Sequence, residues 1–155
     1  MAPYRAFAAL ALLCTASALV LPTQPVLTRS AAGKILEAAE AAARDNAWPV
    51  TICVCDGGGI PLCLARGDGA FPASVKLATE KARTAAQFRK PTLVLEAAAN
   101  DKRPALIASG YTVLGGGEPI FVDGCCVGAV GVSGVLPAED AEVARAGVAA
   151  IEDSN

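Results

Sequence analysis

A glycine-rich hairpin at residues 115–134 constrains the fold of this chain more than any other stretch. Two runs rich in Val, Ile and Phe, 118–122 and 125–132, are joined by Asp123-Gly124. An Asp-Gly pair between two β-prone runs is typical of a two-residue hairpin, because both turn positions favour a positive φ. A two-stranded ribbon is not stable alone in water, so the sequence predicts further strands and helices that cover it.

The second run of the hairpin carries two glycines, Gly128 and Gly131, at positions where a strand normally avoids them. Glycine inside a strand often marks a place where another backbone or a ligand approaches closely. We expect a ligand cleft between this ribbon and the predicted helix that carries Lys81 and Thr84. The glycine run 115–117 is expected to form an open rim of that cleft.

Composition limits the classes of partner. At 155 residues the chain is long enough for one domain and a short leader. Only 5% of the residues are aromatic and the formal net charge is −2. Protein surfaces that bind nucleic acid are basic and often carry aromatic side chains, so these values argue against a nucleic-acid partner. Histidine is absent from the sequence, which excludes a Ser-His-Asp triad, a His-ligated zinc and an imidazole-ligated haem.

The first 21 residues have the pattern of a secretory signal peptide. Arg5 precedes the apolar run 6–20, which is too short to span a bilayer comfortably and contains small residues at 15–18. A buried N-terminal helix is the alternative. The stretch 16–19 resembles the junction of a bipartite plastid leader, and residues 22–30 read as a transit segment or linker without acidic residues. We therefore expect entry into the secretory pathway, then plastid import or secretion, and no membrane span in the mature chain.

The remaining pattern predicts one α+β domain over residues 31–152. Apolar residues recur at helical spacing from Thr28 or Ser30 to about 46, from 72–74 to about 89, at 92–101 and at 137–152. β-prone runs at 49–56 and 60–66 flank a glycine turn and predict a first hairpin, and 112–114 predicts a short edge strand. This order indicates an antiparallel sheet of about five strands with helices packed over it.

Five cysteines follow the leader, and none of them has C-x-x-C spacing. They are Cys53, Cys55, Cys63, Cys125 and Cys126. Buried cysteine behaves as a small hydrophobic residue, which is the simplest interpretation of this set. The alternative is a disulfide or soft-metal site across neighbouring strands, which needs convergent geometry and a thiolate.

Acidic residues on the first predicted helix also allow two interpretations. Glu37 and Glu40 are three residues apart, so they share a helix face and could hold a hard cation. The alternative is a solvated face on which Glu40 pairs with Arg44, four residues further on.

Specific motifs are distributed over the whole predicted domain. They are DGGG at 56–59, RGDG at 66–69, KARTAA at 81–86, GGGEPI at 115–120 and GAVGVSG at 128–134. Together they resemble the GlcG/HbpS-like family of haem-binding or haem-degrading domains, which includes the C-terminal domain of PduO-type proteins. The resemblance implies a profilin-like α/β/α arrangement, usually as a homo-oligomer, and members are linked to haem or corrinoid-type ligands. Ile60 and Gly67 stand where many members have His and Met, so those two side chains are lacking.

These observations favour a binding module for a small-molecule ligand, with haem or a similar acidic tetrapyrrole as the candidate cofactor. Tyr111 is the first candidate for an axial ligand, and a Cys thiolate, Lys81 or Thr84 are the alternatives. The candidate ligand-binding residues are Asp56, Arg66, Asp68, Lys81, Arg83, Thr84, Tyr111, Gly115, Gly116, Gly117 and Pro119.

Two further hypotheses remain open at this stage. One is an enzyme that acts on a small oxo-acid or phenolic substrate. In this enzyme, Asp56 or Asp68 would be the general base, and Arg66 or Lys81 would be the electrophile. The other is a redox sensor that uses the cysteines, and it ranks third.

Overall fold

The computed structural model describes residues 21–152 and places helices on both faces of one antiparallel sheet. The helices are α1 (Arg29–Asp45), α2 (Ser74–Phe88), α3 (Thr92–Asn100) and α4 (Pro137–Glu152), with a 3-10 helix at Pro104–Ser109. The strands are β1 (Thr51–Asp56), β2 (Pro61–Arg66), β3 (Gly117–Val122) and β4 (Cys125–Ser133), in the sheet order β2-β1-β4-β3. The predicted single-domain α+β class with α/β/α layers is confirmed. Almost all of the predicted signal peptide, residues 1–20, lies outside the described residues.

Local sequence signals account for the starts and turns of these elements. The Thr28 hydroxyl accepts a hydrogen bond from the Ala31 N–H at 3.1 Å and caps α1, as one of the two predicted caps. Asp123 and Gly124 both have positive φ, 49° and 76°, as the two-residue hairpin requires. In the first hairpin the Asp56 carboxylate accepts the N–H groups of Gly58 and Ile60, each at 2.9 Å, and so closes the glycine turn.

The sheet has four strands rather than the expected five, because residues 112–114 do not pair with it. Gly110, at φ 79°, redirects the chain after the 3-10 helix. The N–H of Gly115 then donates to the Glu96 side chain on α3 at 2.9 Å. The segment is therefore held by α3 and not by the edge of β3.

Side chains of the inner strands alternate between the two helical layers. Ile52 and Val54 of β1 lie in the core that α1 and α4 cover. Cys53 and Cys55 point to the opposite face and pack on the alanines of α2. The small residues on this second face, including Ala129 of β4, let α2 lie close to the sheet.

Gly131 is the place where α2 and β4 meet most closely. A Cβ on Gly131 would collide with the backbone oxygen of Ala78 and the backbone nitrogen of Ala82. Gly117 is enclosed in the same way by the backbone of Lys81. The predicted ligand cleft between the glycine hairpin and α2 is therefore wrong: the two backbones pack directly on each other, and the strand glycines serve helix packing.

A buried ion pair joins α2 to α4, which lie on opposite faces of the sheet. The Lys81 ammonium lies 2.7 Å from Asp140 Oδ2 and donates to the Val132 carbonyl oxygen at 2.9 Å. Lys81 is 3% exposed and Asp140 is 2% exposed. Burial raises the pKa of Asp140 above its ordinary value, and the Lys81 ammonium opposes that shift.

Across residues 21–152, we find no helix with both the length and the hydrophobicity that a membrane span requires.

We predict that Gly131→Ala destabilises the protein by about 1–3 kcal/mol, because the added methyl group forces α2 away from β4. The control is Gly33→Ala on α1, where the nearest atom is the flexible Arg29 guanidinium at 3.1 Å. Since alanine favours a helix over glycine, that variant should gain up to about 1 kcal/mol. Urea unfolding measures both, and equal stability of the two variants would contradict the packing described here.

We predict that Lys81→Met costs about 3–5 kcal/mol of unfolding free energy, because it leaves the Asp140 carboxylate buried without its partner. The double variant Lys81→Met/Asp140→Leu should recover most of that loss, since both charges are removed. Urea unfolding of the single and double variants tests this. A loss for Lys81→Met below about 1 kcal/mol, the range of exposed pairs, would refute the role of the ion pair.

Candidate functional site

Three of the predicted site residues come together beside the turn between β1 and β2. Asp56 closes that turn through its carboxylate. The turn lies against Arg83, because a Cβ on Gly59 would be 2.9 Å from Arg83 Cγ. The Arg83 guanidinium carbon in turn lies 5.4 Å from the centroid of the Tyr111 ring, which is a cation–π contact.

Gln87, which was not among the predicted site residues, links these groups to each other. Its amide nitrogen donates to the Gly58 carbonyl oxygen at 2.8 Å, and its amide oxygen accepts from the Tyr111 hydroxyl at 2.8 Å. Phe88 supports the Tyr111 ring in an edge-to-face contact, with ring centroids 5.0 Å apart. The sequence does contain a signal that could have identified Gln87. It lies one helical turn after Arg83, so both side chains are on the same side of α2.

The surface around this cluster is both charged and apolar. Arg83 has one ionic partner, Glu80, at 3.4 Å, and 41% of the Arg83 side chain is exposed. Such an exposed pair is weak, so the guanidinium can also bind an anion. On one side lies Ile60, which is 65% exposed. On the other, Tyr111 lines an open cavity of about 340 Å³ together with Leu77, Ile107 and Leu114 among others.

Arg66 and Asp68 lie elsewhere, at the far end of the first hairpin. Arg66 pairs with Thr51 in the β1–β2 register, whereas the turn at Asp56 is at the opposite end. The Arg66 side chain donates to the Ala70 carbonyl oxygen, with Nε at 2.9 Å, and so holds the loop that follows β2. Asp68 is exposed in that loop. These two residues therefore do not join the cluster around Tyr111.

The glycine run 115–117 is buried and does not form the expected open rim. The Gly117 N–H donates to the Thr92 hydroxyl at 2.7 Å, and Gly116 covers the Lys81–Asp140 ion pair. Pro119 is buried in β3 opposite Ala129. These residues hold the end of the sheet against α2 and α3.

Lys81 and Thr84 are also internal. The Lys81 ammonium, expected at a pocket mouth, is committed to Asp140 and the Val132 carbonyl. Thr84 is fully buried, and its hydroxyl is the one buried side-chain polar atom without a hydrogen bond in the part of the chain that the structure describes. Neither side chain reaches the surface beside Tyr111.

The five cysteines after the leader are not bonded to each other. Burial raises the pKa of Cys53 to about 11 and that of Cys55 to about 12, and nearby thiol groups add to the shift of Cys55. The pKa of Cys63 is raised for the same reason, its partial burial. A thiolate is the reactive and metal-binding form, so Cys53 and Cys55 act as small core residues.

The groups named for an enzyme are likewise separated. Asp56 and Asp68 lie beyond opposite ends of β2, and the Asp56 carboxylate is engaged by its own turn. Lys81 is buried on the other side of α2 from Arg83. Arg66 and Asp68 lie at the same end of the hairpin, but the Arg66 guanidinium is engaged by the Ala70 carbonyl oxygen, and Arg66 does not line the cavity that Asp68 lines.

Comparison with known proteins identifies relatives that cover most of the domain. The family model described as "Haem degrading protein HbpS-like" matches residues 27–149. Protein GlcG of Escherichia coli strain K12 is 41% identical over 112 residues, which are 72% of this chain and 84% of GlcG.

Solved structures agree with this match. A double mutant of HbpS from Streptomyces reticuli superposes with a TM-score of 0.77 at 33% identity and covers 96% of both chains. The PduOC–haem complex has a TM-score of 0.73 at 24% identity, over 81% of this chain and 95% of that chain, which shows likeness of fold alone. The extent of the family match and the identity to GlcG are decisive, and the chain belongs to the HbpS-like family of haem-degrading proteins.

Proposed function

We propose that this protein binds haem, or a similar flat and acidic tetrapyrrole, beside the turn between β1 and β2. The observation that carries the proposal is the half-exposed Arg83 guanidinium over the Tyr111 ring, at the edge of an open apolar cavity. A tetrapyrrole needs the same combination: an apolar surface for the macrocycle, a cation for its carboxylates and a ligand for its metal.

The residues at this site fit such a group. The Arg83 guanidinium would pair with a propionate, since arginine binds carboxylates through paired hydrogen bonds. Ile60, Ile107 and Leu114 supply exposed apolar surface on either side of Tyr111. The match to the family model described as "Haem degrading protein HbpS-like" supports the ligand class.

The Tyr111 oxygen is the side-chain atom that we assign as the ligand of the iron. The sequence has no histidine, and the thiols of Cys53 and Cys55 are buried with raised pKa values. The Tyr111 hydroxyl lies at the surface, where its hydrogen bond to Gln87 orients it. Phenolate oxygen is a known axial ligand of haem iron, and bound haem would supply a redox-active metal.

The assembly and location of the protein stay predictions from the sequence: a homo-oligomer, directed through the secretory pathway to a plastid or to the outside of the cell.

We predict that haemin added to the mature domain at micromolar protein gives a saturable shift of the Soret band. Tyr111→Phe should change the spectrum of the bound iron, because the phenolic oxygen is lost. Arg83→Gln should weaken binding about threefold to tenfold, the effect of a partly exposed ionic contact. Metal-free protoporphyrin separates the two roles, since only Arg83→Gln should affect its binding.

The matched control is Lys76→Gln, which removes an exposed positive charge from the same helix, away from the cluster. It should bind haemin as the unaltered chain does. No Soret shift, or a shift that neither Tyr111→Phe nor Arg83→Gln alters, would refute haem binding at this site.

A further inference from the structure

A second and larger open cavity lies at the other end of the first hairpin, on the opposite face of the sheet. Its volume is about 490 Å³, and its walls come from the end of α1, the start of β1 and the end of β2. It shares no lining residue with the cavity beside Tyr111. The side chains that give it chemical character are Glu40, Arg44, Trp48 and Asp68.

The three charged side chains of this cavity have no ionic partner. The ion pairs within residues 21–152 are Lys81–Asp140, Arg83–Glu80 and Arg145–Glu118. The interpretation in which Glu40 pairs with Arg44 is therefore wrong for this part of the chain. Since none of the three side chains makes a hydrogen bond within the described range either, two carboxylates and one guanidinium in a single cavity are available to a ligand.

Trp48 supplies an aromatic wall that the backbone fixes in place. Ala47 takes a left-handed conformation with φ 54°, which turns the chain sharply after α1. The backbone N–H of Trp48 then donates to the Ala43 carbonyl oxygen at 2.9 Å. The Trp48 side chain packs against the hydrophobic core between the sheet and α1. The ring is half-buried and lines the cavity, so a ligand can contact it.

The charges that line the cavity favour a ligand that carries both a positively charged group and a negatively charged group. Glu40 and Asp68 outnumber Arg44, and the carbonyl end of α1 adds partial negative charge at the same place. An ammonium group is stabilised both by carboxylates and by the face of a tryptophan ring, which is the most favourable aromatic partner for a cation. Arg44 would be left to pair with a carboxylate of the same ligand.

We propose that this cavity binds a small zwitterion that carries an ammonium and a carboxylate group, such as a betaine or an amino acid. The ammonium lies against Trp48 between Glu40 and Asp68, and the ligand carboxylate pairs with Arg44. This proposal is independent of haem binding, which would occur at the other end of the hairpin.

The sequence offers a direct readout, because Trp48 is its one tryptophan. Glycine betaine, added without haemin, should change the Trp48 fluorescence in a saturable manner. The uncharged-head isostere tert-butylacetate should have no such effect, because it keeps the carboxylate but lacks the cationic head. Choline, which has the cationic head without the carboxylate, should bind more weakly than betaine.

Variants assign each part of the site. Glu40→Gln and Asp68→Asn should each weaken betaine binding by about threefold to tenfold, as expected for partly exposed contacts to a cation. Arg44→Ala should weaken the binding of betaine but not that of choline, so that this variant binds the two ligands with similar affinity. The matched control is Glu37→Gln, one helical turn earlier on α1 and outside the cavity, which should leave binding unchanged.

Four results would overturn the proposal. The first is the absence of a saturable fluorescence change with betaine, and the second is an equal response to tert-butylacetate. The third is betaine binding that withstands both Glu40→Gln and Asp68→Asn. Choline binding as tight as that of betaine in the unaltered chain would overturn the assignment of a zwitterion, because Arg44 would then have no role.

Discussion

The structure depends on the direct contact between the backbones of α2 and β4 at Gly131. No other residue leaves room for this approach, since any Cβ there would overlap the helix. The contact explains why this face of the sheet carries alanine and cysteine rather than larger residues. It also sets the height of α2 above the sheet, and hence the distance at which Arg83 and Gln87 meet the turn between β1 and β2.

The same contact forces Lys81 into the interior, where a charge is costly unless it is paired. Asp140 on α4 supplies the pair, and the Val132 carbonyl supplies a further hydrogen bond. The free-energy cost of removing two charges from water offsets much of their Coulombic attraction. The ion pair therefore orients the two helices more than it raises the free energy of unfolding. It fixes α4 relative to α2 although the sheet lies between them, and Gly116 leaves the space in which the two side chains meet.

The two proposed ligand sites lie at opposite ends of the β1–β2 hairpin and on opposite faces of the sheet. Each combines exposed charge with an aromatic ring that the fold holds in place: Tyr111 through Gln87 and Phe88, and Trp48 through the backbone at Ala43. A rigid ring loses little conformational freedom when a flat or cationic ligand binds to it. The proposal for the first site takes its ligand class from the family match, whereas the proposal for the second rests on the geometry and charge of its own cavity.

By itself the sequence determined the elements whose signals are local. The cap at Thr28, the turns at Asp56 and Asp123-Gly124 and the alternation of the strands all depend on residues a few positions apart, and both hairpins and the main helices follow from them. Tertiary structure alone decided which side chains meet. Successive helix positions differ by about 100°, so Lys81 and Arg83 face different surroundings, one a buried carboxylate and the other the Tyr111 ring. Gln87 and Tyr111, or Glu40 and Asp68, are far apart in the chain, and only the packing of whole elements brings them together.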